Sequence, residues 1–422
     1  MASNTNSLLP HLMLLIFISF RLTVQGNKPV YLSFPLTSSP LSRNNYASKP
    51  NNMPSYQVQR KNPATVSSPS FNYSSKSSFK YSMALIVSLP IGTPPQVQRM
   101  VVDTGSQLCW IHCHRNNFLK PFHPSLSSSF SPLPCNHTDC KPLIPDFTLP
   151  TTCDQNHLCH YSYFYADGTL AEGNLVREKF SSSSSQSTSP LILGCAAKAS
   201  QAEGILGMNL GRLSFVSQTK IPRFSYCVPI RQDKFNISTA TGTFYLGQNP
   251  NSVTFQYINL STFPQRQHLP NFDPLAYTGV FQPDASGSGQ TIIDSGTQYT
   301  YLVNAAYAKI REEVVRLVGT KLKDYAYGDA FGMCFDGNAM EIQRLIGDMV
   351  FQFENGDEIL INQDKVMDYV GGGIHCVAIG QSDSLGIASN IIGNFQQQNL
   401  WVEFDLIKRR VGFGVADCSR SI

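Results

Sequence analysis

The string Asp103-Thr104-Gly105-Ser106 recurs as Asp294-Ser295-Gly296-Thr297, so the chain carries one short motif twice. Each copy follows a run of apolar, β-forming residues, 100–102 before the first and 291–293 before the second. Strand-forming sequence resumes after each copy. Each aspartate is therefore predicted to lie on a tight turn at the end of a buried strand, where the glycine permits a close backbone approach. Two copies in matched surroundings indicate a pair of carboxylates that face each other across the fold.

A second repeat accompanies the first. The segment Gly204–Met208 follows Asp103 at nearly the distance at which Asn390–Asn394 follows Asp294. Both segments place two hydrophobic residues before a glycine, Gly207 in one and Gly393 in the other. Repeats in the same order and at similar spacing predict two lobes of similar construction.

Length and composition limit the fold class. A chain of 422 residues is long enough for two to three domains with a sizeable core. Hydrophobic residues make up 42% of it and charged residues 14%, which is typical of a globular protein and not of a disordered one. Helical periodicity is scarce, and its best example is 305–318, which keeps one face apolar. The sequence predicts an all-β fold with a few short helices.

The first 26 residues have the features of a signal peptide. An apolar run at Leu12–Phe20 is too short to span a bilayer, and small residues before Asn27 provide a cleavage site. We therefore expect a protein of the secretory pathway that is extracellular, vacuolar or in the endoplasmic reticulum, with no stable membrane insertion. Eleven cysteines fit that oxidising route, because ten of them can pair and leave one free. Four sequons indicate a glycoprotein, and they start at Asn72, Asn136, Asn236 and Asn259.

Charge is distributed unevenly along the chain. No Asp or Glu occurs before Asp103, whereas nine Lys or Arg residues do. Residues 27–80 are rich in Ser, Asn and Pro without periodicity, which predicts a disordered basic segment. This segment is either a solvated tail or a propiece that covers an acidic cleft until low pH protonates the carboxylates. A nucleic-acid partner is not expected, since the basic stretch lacks a recognisable binding module.

Two facing carboxylates have a definite chemistry. Because two negative charges so close together repel each other, the carboxylates share one proton and their apparent pKa values separate. The ionised carboxylate acts as a general base on a water molecule, while the protonated one polarises a carbonyl and then donates a proton to the leaving nitrogen. This chemistry requires no cofactor and no metal.

From Tyr81 to Cys418 the chain resembles the pepsin-like aspartic endopeptidases. The resemblance implies a bilobal β-fold with one motif per lobe, and it assigns the catalytic pair to Asp103 and Asp294. Thr104 and Ser295 correspond to the residues that brace the two loops against each other. The remaining loop positions support the carboxylates, with hydroxyls from two of them on the outer oxygens: Gly105, Ser106, Gly296 and Thr297.

Further positions match the same family. Tyr165 corresponds to the tyrosine of the flap that covers the cleft, and Trp110 to its indole partner. Gly207 and Gly393 correspond to the glycines beneath the catalytic loops. The alternatives without a functional role are that Trp110 is an ordinary core residue and that an ordinary hairpin turn follows Tyr165.

The cysteine-rich insertion at 109–160 resembles the atypical plant branch typified by nepenthesins. Two strings, 167–175 and 394–399, narrow the resemblance to one member of that branch. The chain also departs from the family. Cys109 stands where a cysteine is unusual and is the expected free thiol, Ala166 replaces the usual flap glycine, and the stretch Tyr277–Gln290 is too short for the hairpin normally placed there.

Within this resemblance we expect a bridge between Cys334 and Cys376, and a bridge between Cys195 and Cys418 that joins the lobes. The four cysteines of the insertion are expected to pair among themselves in an order that the sequence leaves open: Cys135, Cys140, Cys153 and Cys159. A metal site in the string 109–114 is the less favoured alternative, because zinc-ligand spacing is not met.

The sequence thus predicts a signal peptide at 1–26, a basic propiece at 27–80, an N-terminal lobe at 81–235 and a C-terminal lobe at 236–422. The expected function is that of a monomeric plant aspartic endopeptidase, made as a zymogen, which hydrolyses protein or peptide substrates at acidic pH. One alternative is a catalytically inactive binding or inhibitor protein with the same fold. Another alternative is a disulfide-rich structural protein of the cell wall, but that interpretation does not explain the paired Asp motifs.

Overall fold

A computed structural model describes most of the chain after residue 30. The described ranges are 31–40, 83–114, 120–141, 151–166, 168–181, 187–230, 241–263, 266–272, 289–319, 332–353, 356–371 and 373–420. The predicted signal peptide and most of Tyr277–Gln290 lie outside them, and so does the predicted lobe boundary at 235/236. Within these ranges no helix is long and apolar enough to cross a membrane.

Strands dominate the first half of the structure. Their bounds are β1 Tyr31–Pro40, β2 Met83–Ile91, β3 Gln96–Asp103, β4 Trp110–His112, β5 Ser131–Pro132, β6 Thr152–Cys153, β7 Cys159–Phe164, β8 Leu170–Glu178, β9 Leu191–Ala199, β10 Gly204–Gly207, β11 Arg223–Cys227 and β12 Thr241–Gly247. A short helix, α1 (Phe215–Thr219), precedes β11, and its N-terminus is capped by the Ser214 side chain, which accepts from the Ser217 amide.

The second half has the same character. Its strands are β13 Gln256–Phe263, β14 Arg266–Phe272, β15 Thr291–Ile293, β16 Thr300–Leu302, β17 Cys334–Asp336, β18 Met349–Gln352, β19 Glu358–Ile361, β20 Met367–Gly371, β21 Ile374–Val377, β22 Ile379–Gln381, β23 Asn390–Ile392, β24 Leu400–Asp405 and β25 Arg410–Val415. Two helices join them, α2 (Asn304–Val318) and α3 (Ala339–Ile346). The predicted all-β class is confirmed, and α2 covers the predicted helix.

The two halves repeat one arrangement of strands. In the first, β3 runs parallel to β10, β10 is antiparallel to β4, and β4 is parallel to β9. In the second, β15, β23, β16 and β22 follow the same pattern. Strands β3 and β15 therefore occupy equivalent positions in the two halves. The two Asp motifs, which lie at the ends of these strands, are consequently in equivalent positions too.

A shared sheet joins the lobes. Its strands lie in the order β2, β1, β12, β11, β24, β25 and β13, with every neighbouring pair antiparallel. Aromatic side chains pack along it, including Phe224 stacked on Phe404 at a centroid distance of 4.7 Å. This sheet fixes the orientation of one Asp loop relative to the other.

Strand β1 corrects one prediction. Residues 31–40 lie inside the segment predicted to be disordered, yet they pair with β12 along one edge and with β2 along the other. The side chain of Leu36 is buried in the main core. The prediction of disorder for 27–80 is therefore wrong for 31–40, because alternation of Leu32, Phe34 and Leu36 gives the strand an apolar face despite its Ser and Pro content.

Five disulfides connect ten of the eleven cysteines. The predicted pair Cys334–Cys376 is present across β17 and β21. The insertion is closed by two further bridges, Cys135–Cys153 and Cys140–Cys159.

The predicted pair Cys195–Cys418 is wrong. Cys195 lies on β9 beside β4, which places it next to Cys113, and these two residues are bridged with their Cα atoms 5.3 Å apart. Cys418 instead pairs with Cys227 at the end of β11. The lobes are therefore still joined by a disulfide, but the cysteine of the first lobe is Cys227.

Candidate active site

The two aspartates occupy equivalent loops at the ends of β3 and β15. The Asp103 carboxylate accepts from the Gly105 amide at 2.9 Å and from the Ser106 hydroxyl at 2.5 Å. The Asp294 carboxylate accepts from the Gly296 amide at 2.8 Å and from the Thr297 hydroxyl at 2.5 Å. Each carboxylate is thus held by the same two kinds of donor, a glycine amide and a side-chain hydroxyl, at matching positions of the repeated motif.

Glycine is required where the loops meet. A Cβ atom at Gly105 would lie 2.8 Å from Oδ2 of Asp294, and one at Gly296 would lie 2.5 Å from Oδ1 of Asp103. Both distances are shorter than real Cβ contacts. Each glycine therefore lies against the carboxylate of the opposite lobe, and the two carboxylates face each other across these glycines.

Thr104 and Ser295 brace the loops across the lobe interface. The Thr104 hydroxyl accepts from the Ser295 amide at 3.0 Å and donates to the Ile293 carbonyl at 2.8 Å. The Ser295 hydroxyl accepts from the Thr104 amide at 3.1 Å and donates to the Val102 carbonyl at 2.7 Å. Both residues are fully buried, so these four reciprocal hydrogen bonds, here called the cross-lobe brace, satisfy every polar group involved.

The glycines beneath the loops also have a steric reason. A Cβ atom at Gly207 would lie 2.5 Å from the Gln107 carbonyl, and one at Gly393 would lie 2.2 Å from the Tyr299 carbonyl. Strands β10 and β23 therefore pass directly under the loops that carry the aspartates. At both positions a side chain would push the strand away from the loop above it.

Tyr165 and Trp110 lie in contact beside the dyad. The indole Nε1 of Trp110 donates to the Tyr165 hydroxyl at 2.8 Å, and Tyr165 lies at the end of the hairpin formed by β7 and β8. The turn closes with Tyr165 donating its amide to the Thr169 carbonyl, and Ala166 within it is exposed. The charge of Asp103 acts on the Tyr165 phenol, so this end of the hairpin lies near the dyad. Its role as a flap stays a prediction, and Asp167 at its tip lies outside the described residues.

Burial and like charge act together on Asp103. Desolvation, followed by the nearby charge of Asp294, raises the pKa of Asp103 from 3.8 to about 8, against the opposing hydrogen bonds from Ser106 and Gly105. A proton is consequently retained between the two carboxylates at acidic and neutral pH. Such a pair can activate a water molecule with one carboxylate and polarise a carbonyl with the other.

The string 109–114 is not arranged as a metal site. Cys113 is bridged to Cys195, and Cys109 is a buried free thiol near the Gly207 carbonyl, at 3.7 Å. Burial raises the pKa of Cys109 to about 12, so it remains a neutral thiol. Over the described residues, no group of three or more His, Cys, Asp or Glu side chains could hold a metal ion.

Sequence reasoning missed a set of buried amides below the site. Gln397 donates to the carbonyls of Ile392 and Asp294, and Asn394 donates to the carbonyl of Ser295. In the sequence, 394–399 stands out through its resemblance to a plant proteinase, which says nothing of this role. The signal that could have found it is the run of amide side chains, which is unusual for a segment between two buried strands.

Two family profiles match the chain. One is described as "Xylanase inhibitor N-terminal" and matches residues 85–248, and the other as "Xylanase inhibitor C-terminal" and matches residues 275–415. The member to which the strings 167–175 and 394–399 point, Aspartic proteinase PCS1 of Arabidopsis thaliana, is 33% identical to this chain. That match covers 81% of this chain and 84% of the relative.

Another relative belongs to the same family, and solved structures share the fold. Aspartic proteinase nepenthesin-1 of Nepenthes gracilis is 32% identical over 80% of this chain and 78% of its own length. Conglutin gamma, a basic 7S globulin from lupine seeds, has the same fold, with a TM-score of 0.61 at 16% identity over 92% of this chain and 95% of that one. Basic 7S globulin from soybean gives a TM-score of 0.58 at 15% identity, over 93% of this chain and 100% of that one. With its duplicated Asp loops and cross-lobe brace, and with these relatives, the chain belongs to the family of pepsin-like plant aspartic proteases.

Proposed function

We propose that this protein is an aspartic endopeptidase that hydrolyses peptide bonds of protein substrates at acidic pH. The observation that carries the proposal is the symmetry of the dyad. Asp103 and Asp294 each accept one glycine amide and one hydroxyl. Each carboxylate also lies so close to the glycine of the opposite loop that a Cβ atom there would clash, at 2.5 Å from Asp103 and 2.8 Å from Asp294.

In the proposed reaction, the ionised carboxylate takes a proton from a water molecule as that water attacks the scissile carbonyl. The protonated carboxyl donates a hydrogen bond to the carbonyl oxygen, and the leaving nitrogen is then protonated from the dyad. Tyr165, held by the Trp110 indole, closes over an extended peptide and excludes water. The preferred substrates are unstructured segments with apolar side chains on both sides of the cleaved bond.

The experiment is cleavage of a fluorogenic peptide library at acidic pH by the chain from residue 27 onward, with and without pepstatin. We expect pepstatin-sensitive turnover that is lost in Asp103→Asn and retained in Asp364→Asn, which removes the charge of an exposed aspartate in the second lobe. Circular dichroism of each variant establishes that it is folded. Folded wild-type protein with no turnover, or with turnover that pepstatin leaves unchanged, would contradict the proposal.

A second candidate function is a binding protein with the same fold. It is favoured by the profile description "Xylanase inhibitor" and by the shared fold with 7S globulins. The intact dyad argues against it. Titration of a fungal xylanase with Asp103→Asn distinguishes the two, because an inhibitor retains its binding after loss of the carboxylate whereas a protease has none to retain.

We also propose that the chain is a secreted-pathway zymogen and glycoprotein. Five disulfides support an oxidising compartment, and the sequon residues Asn136 and Asn259 are exposed. Mass spectrometry of the protein from plant cells tests this, with cleavage before Asn27 and glycans at these two sites as the expected result. A protein that retains residues 1–26 or has no glycan would contradict it.

A further inference from the structure

Below the cross-lobe brace lies a polar pair that the proposed mechanism does not use. Tyr226, near the end of β11, and Gln397, between β23 and β24, are both buried. The Tyr226 hydroxyl donates to Oε1 of Gln397 at 2.6 Å. Two polar side chains from different lobes are thus joined in the core of the shared sheet.

Each member of the pair also contacts a catalytic loop. The Tyr226 hydroxyl lies near the Thr104 and Ser295 side chains that form the brace. It donates its proton to Gln397, while the two brace hydroxyls donate theirs to backbone carbonyls. The Gln397 amide donates to the Ile392 carbonyl at 2.8 Å and to the Asp294 carbonyl at 3.4 Å. The pair therefore lies against the brace, and the Gln397 amide holds the backbone of the Asp294 loop.

The support is one-sided, although the fold is nearly two-fold symmetric. In the register of β11 against β24, Tyr226 lies opposite Val402, which offers no polar group. On the Asp103 side, the carbonyl of Asp103 accepts instead from the backbone amide of Met208 at 2.8 Å. The Gln397 side chain, held by Tyr226, thus does for the Asp294 carbonyl what a backbone amide does for the Asp103 carbonyl.

We propose that Tyr226 and Gln397 are positioning residues that set the distance and orientation of Asp294 relative to Asp103. The inference rests on the proposed function, since the reaction is the one that this dyad would perform. Neither residue touches the substrate. They act through the brace and the Asp294 backbone, and a small displacement of a reacting group is enough to slow catalysis.

The other titratable groups near the dyad do not ionise in the working pH range. In the part of the chain that the structure describes, the charge of Asp103 acts on Tyr165 and Cys109, and the charge of Asp294 acts on Tyr226. Burial raises the pKa of each of the three, and for both tyrosines well above the ordinary value. All three stay neutral over the working pH range. A shift in the pH profile therefore reports a change in the dyad itself, that is, in the placement of Asp294 relative to Asp103.

The test compares Tyr226→Phe, Gln397→Met and the double variant, with kcat, KM and the pH profile measured for each. Loss of one partner leaves the other buried without its hydrogen bond, whereas loss of both leaves an apolar contact. We therefore expect the double variant to recover the stability that either single variant loses through an unpaired partner, but not the stability lost with the Gln397 hydrogen bonds to the Ile392 and Asp294 carbonyls. In all three, kcat should fall by roughly tenfold with KM little changed, and the alkaline limb of the pH profile should move to lower pH.

Tyr257→Phe is the matched control, because it removes a phenol hydroxyl in the same shared sheet that donates to Glu403 at 2.7 Å, away from the loops. We expect it to leave kcat and the pH profile unchanged. Recovery of kcat together with stability in the double variant would overturn the proposal, since the pair would then be merely structural. So would an unchanged kcat and pH profile in folded Tyr226→Phe.

A second readout separates this inference from the proposed function. The pH dependence of unfolding between pH 4 and pH 8 reports the shared proton without any turnover. If wild-type protein is inactive, the proposed function fails, yet Tyr226→Phe should still weaken that pH dependence. An identical pH dependence in both proteins would overturn the positioning role.

Discussion

At the scale of single residues, the site depends on a carboxyl that burial keeps protonated. Asp103 is almost wholly removed from solvent and lies beside Asp294, and both conditions disfavour its charge. Its neighbours Ser106 and Gly105 oppose that effect by hydrogen bonding to the ionised form. Because the folded and unfolded states then bind the proton with different affinity, the aspartate must affect stability as well as catalysis.

The first prediction concerns that linkage. The pKa of Asp103 is about 8 in the folded protein and near 3.8 without the fold, so between these values the folded state holds more protons. Asp103's contribution to the free energy of unfolding is therefore complete below about pH 4 and is lost as pH rises through about 8. At about 1.4 kcal/mol per pKa unit, the loss is on the order of a few kcal/mol.

Urea unfolding of wild-type protein and of Asp103→Asn at several pH values between 4 and 8 checks this. The wild-type free energy of unfolding should decrease more steeply with pH than that of the variant. Parallel curves for the two proteins would show that Asp103 titrates normally.

The second prediction concerns the glycine of the opposite loop. Gly296→Ala places a Cβ atom 2.5 Å from the Asp103 carboxylate and must displace it. We expect kcat to fall by about 100-fold or more, with folding retained. Gly332→Ala is the control, because among the described residues its Cβ would meet only the Tyr307 hydroxyl, at 3.0 Å. Comparable activity in the two variants would argue that the carboxylates do not need this approach.

At the scale of secondary structure, short sequence patterns predict where turns and helices form, but they do not predict which strands pair. The Asp turns, the glycines beneath them and helix α2 follow from short periodic sequence, so they could be predicted. Strand β1 escapes prediction because its surroundings are rich in Ser and Pro, and its pairing depends on β2 and β12, which are distant in sequence. The Cys195 partner could not be assigned for the same reason, since it follows from the register of β4 against β9.

The third prediction follows from the position of β1 between two strands. A chain that starts at residue 83 exposes the edges of both β2 and β12 and loses the buried Leu36 side chain, which alone contributes about 2 kcal/mol. We expect it to unfold at lower denaturant concentration than a chain that starts at residue 27, and to aggregate. A synthetic peptide of residues 27–42 added in trans should restore stability, and the same peptide with Leu36→Asp should not. Equal stability of the two chains would show that β1 is dispensable.

At the scale of the whole molecule, the two lobes act as one body because they share a sheet and a disulfide. The Cys227–Cys418 bridge spans 191 residues of sequence, whereas Cys135–Cys153 spans 18. The sequence could predict that a bridge joins the lobes through Cys418. It could not identify Cys227, since that choice depends on how β11 lies in the shared sheet.

The fourth prediction compares these two bridges. In the chain-entropy account, a bridge that closes a longer loop restricts the unfolded chain more. We expect Cys227→Ser with Cys418→Ser to lower the free energy of unfolding by about 5 kcal/mol, and more than Cys135→Ser with Cys153→Ser does. Denaturant titration measures both. A larger loss from the insertion bridge would mean that local strain, and not closure of the long loop, dominates.

The central claim is that Asp103 and Asp294 act as one unit, and a double-mutant comparison of kcat/KM at acidic pH tests it most directly. Residues that act as a unit are strongly non-additive, so removal of either one should cost about as much as removal of both. We predict that Asp103→Asn and Asp294→Asn each lose at least about 1,000-fold in kcat/KM, and that the double variant loses no more. If either folded single variant kept a tenth or more of wild-type activity, or if the losses multiplied in the double variant, the two-aspartate account would be contradicted.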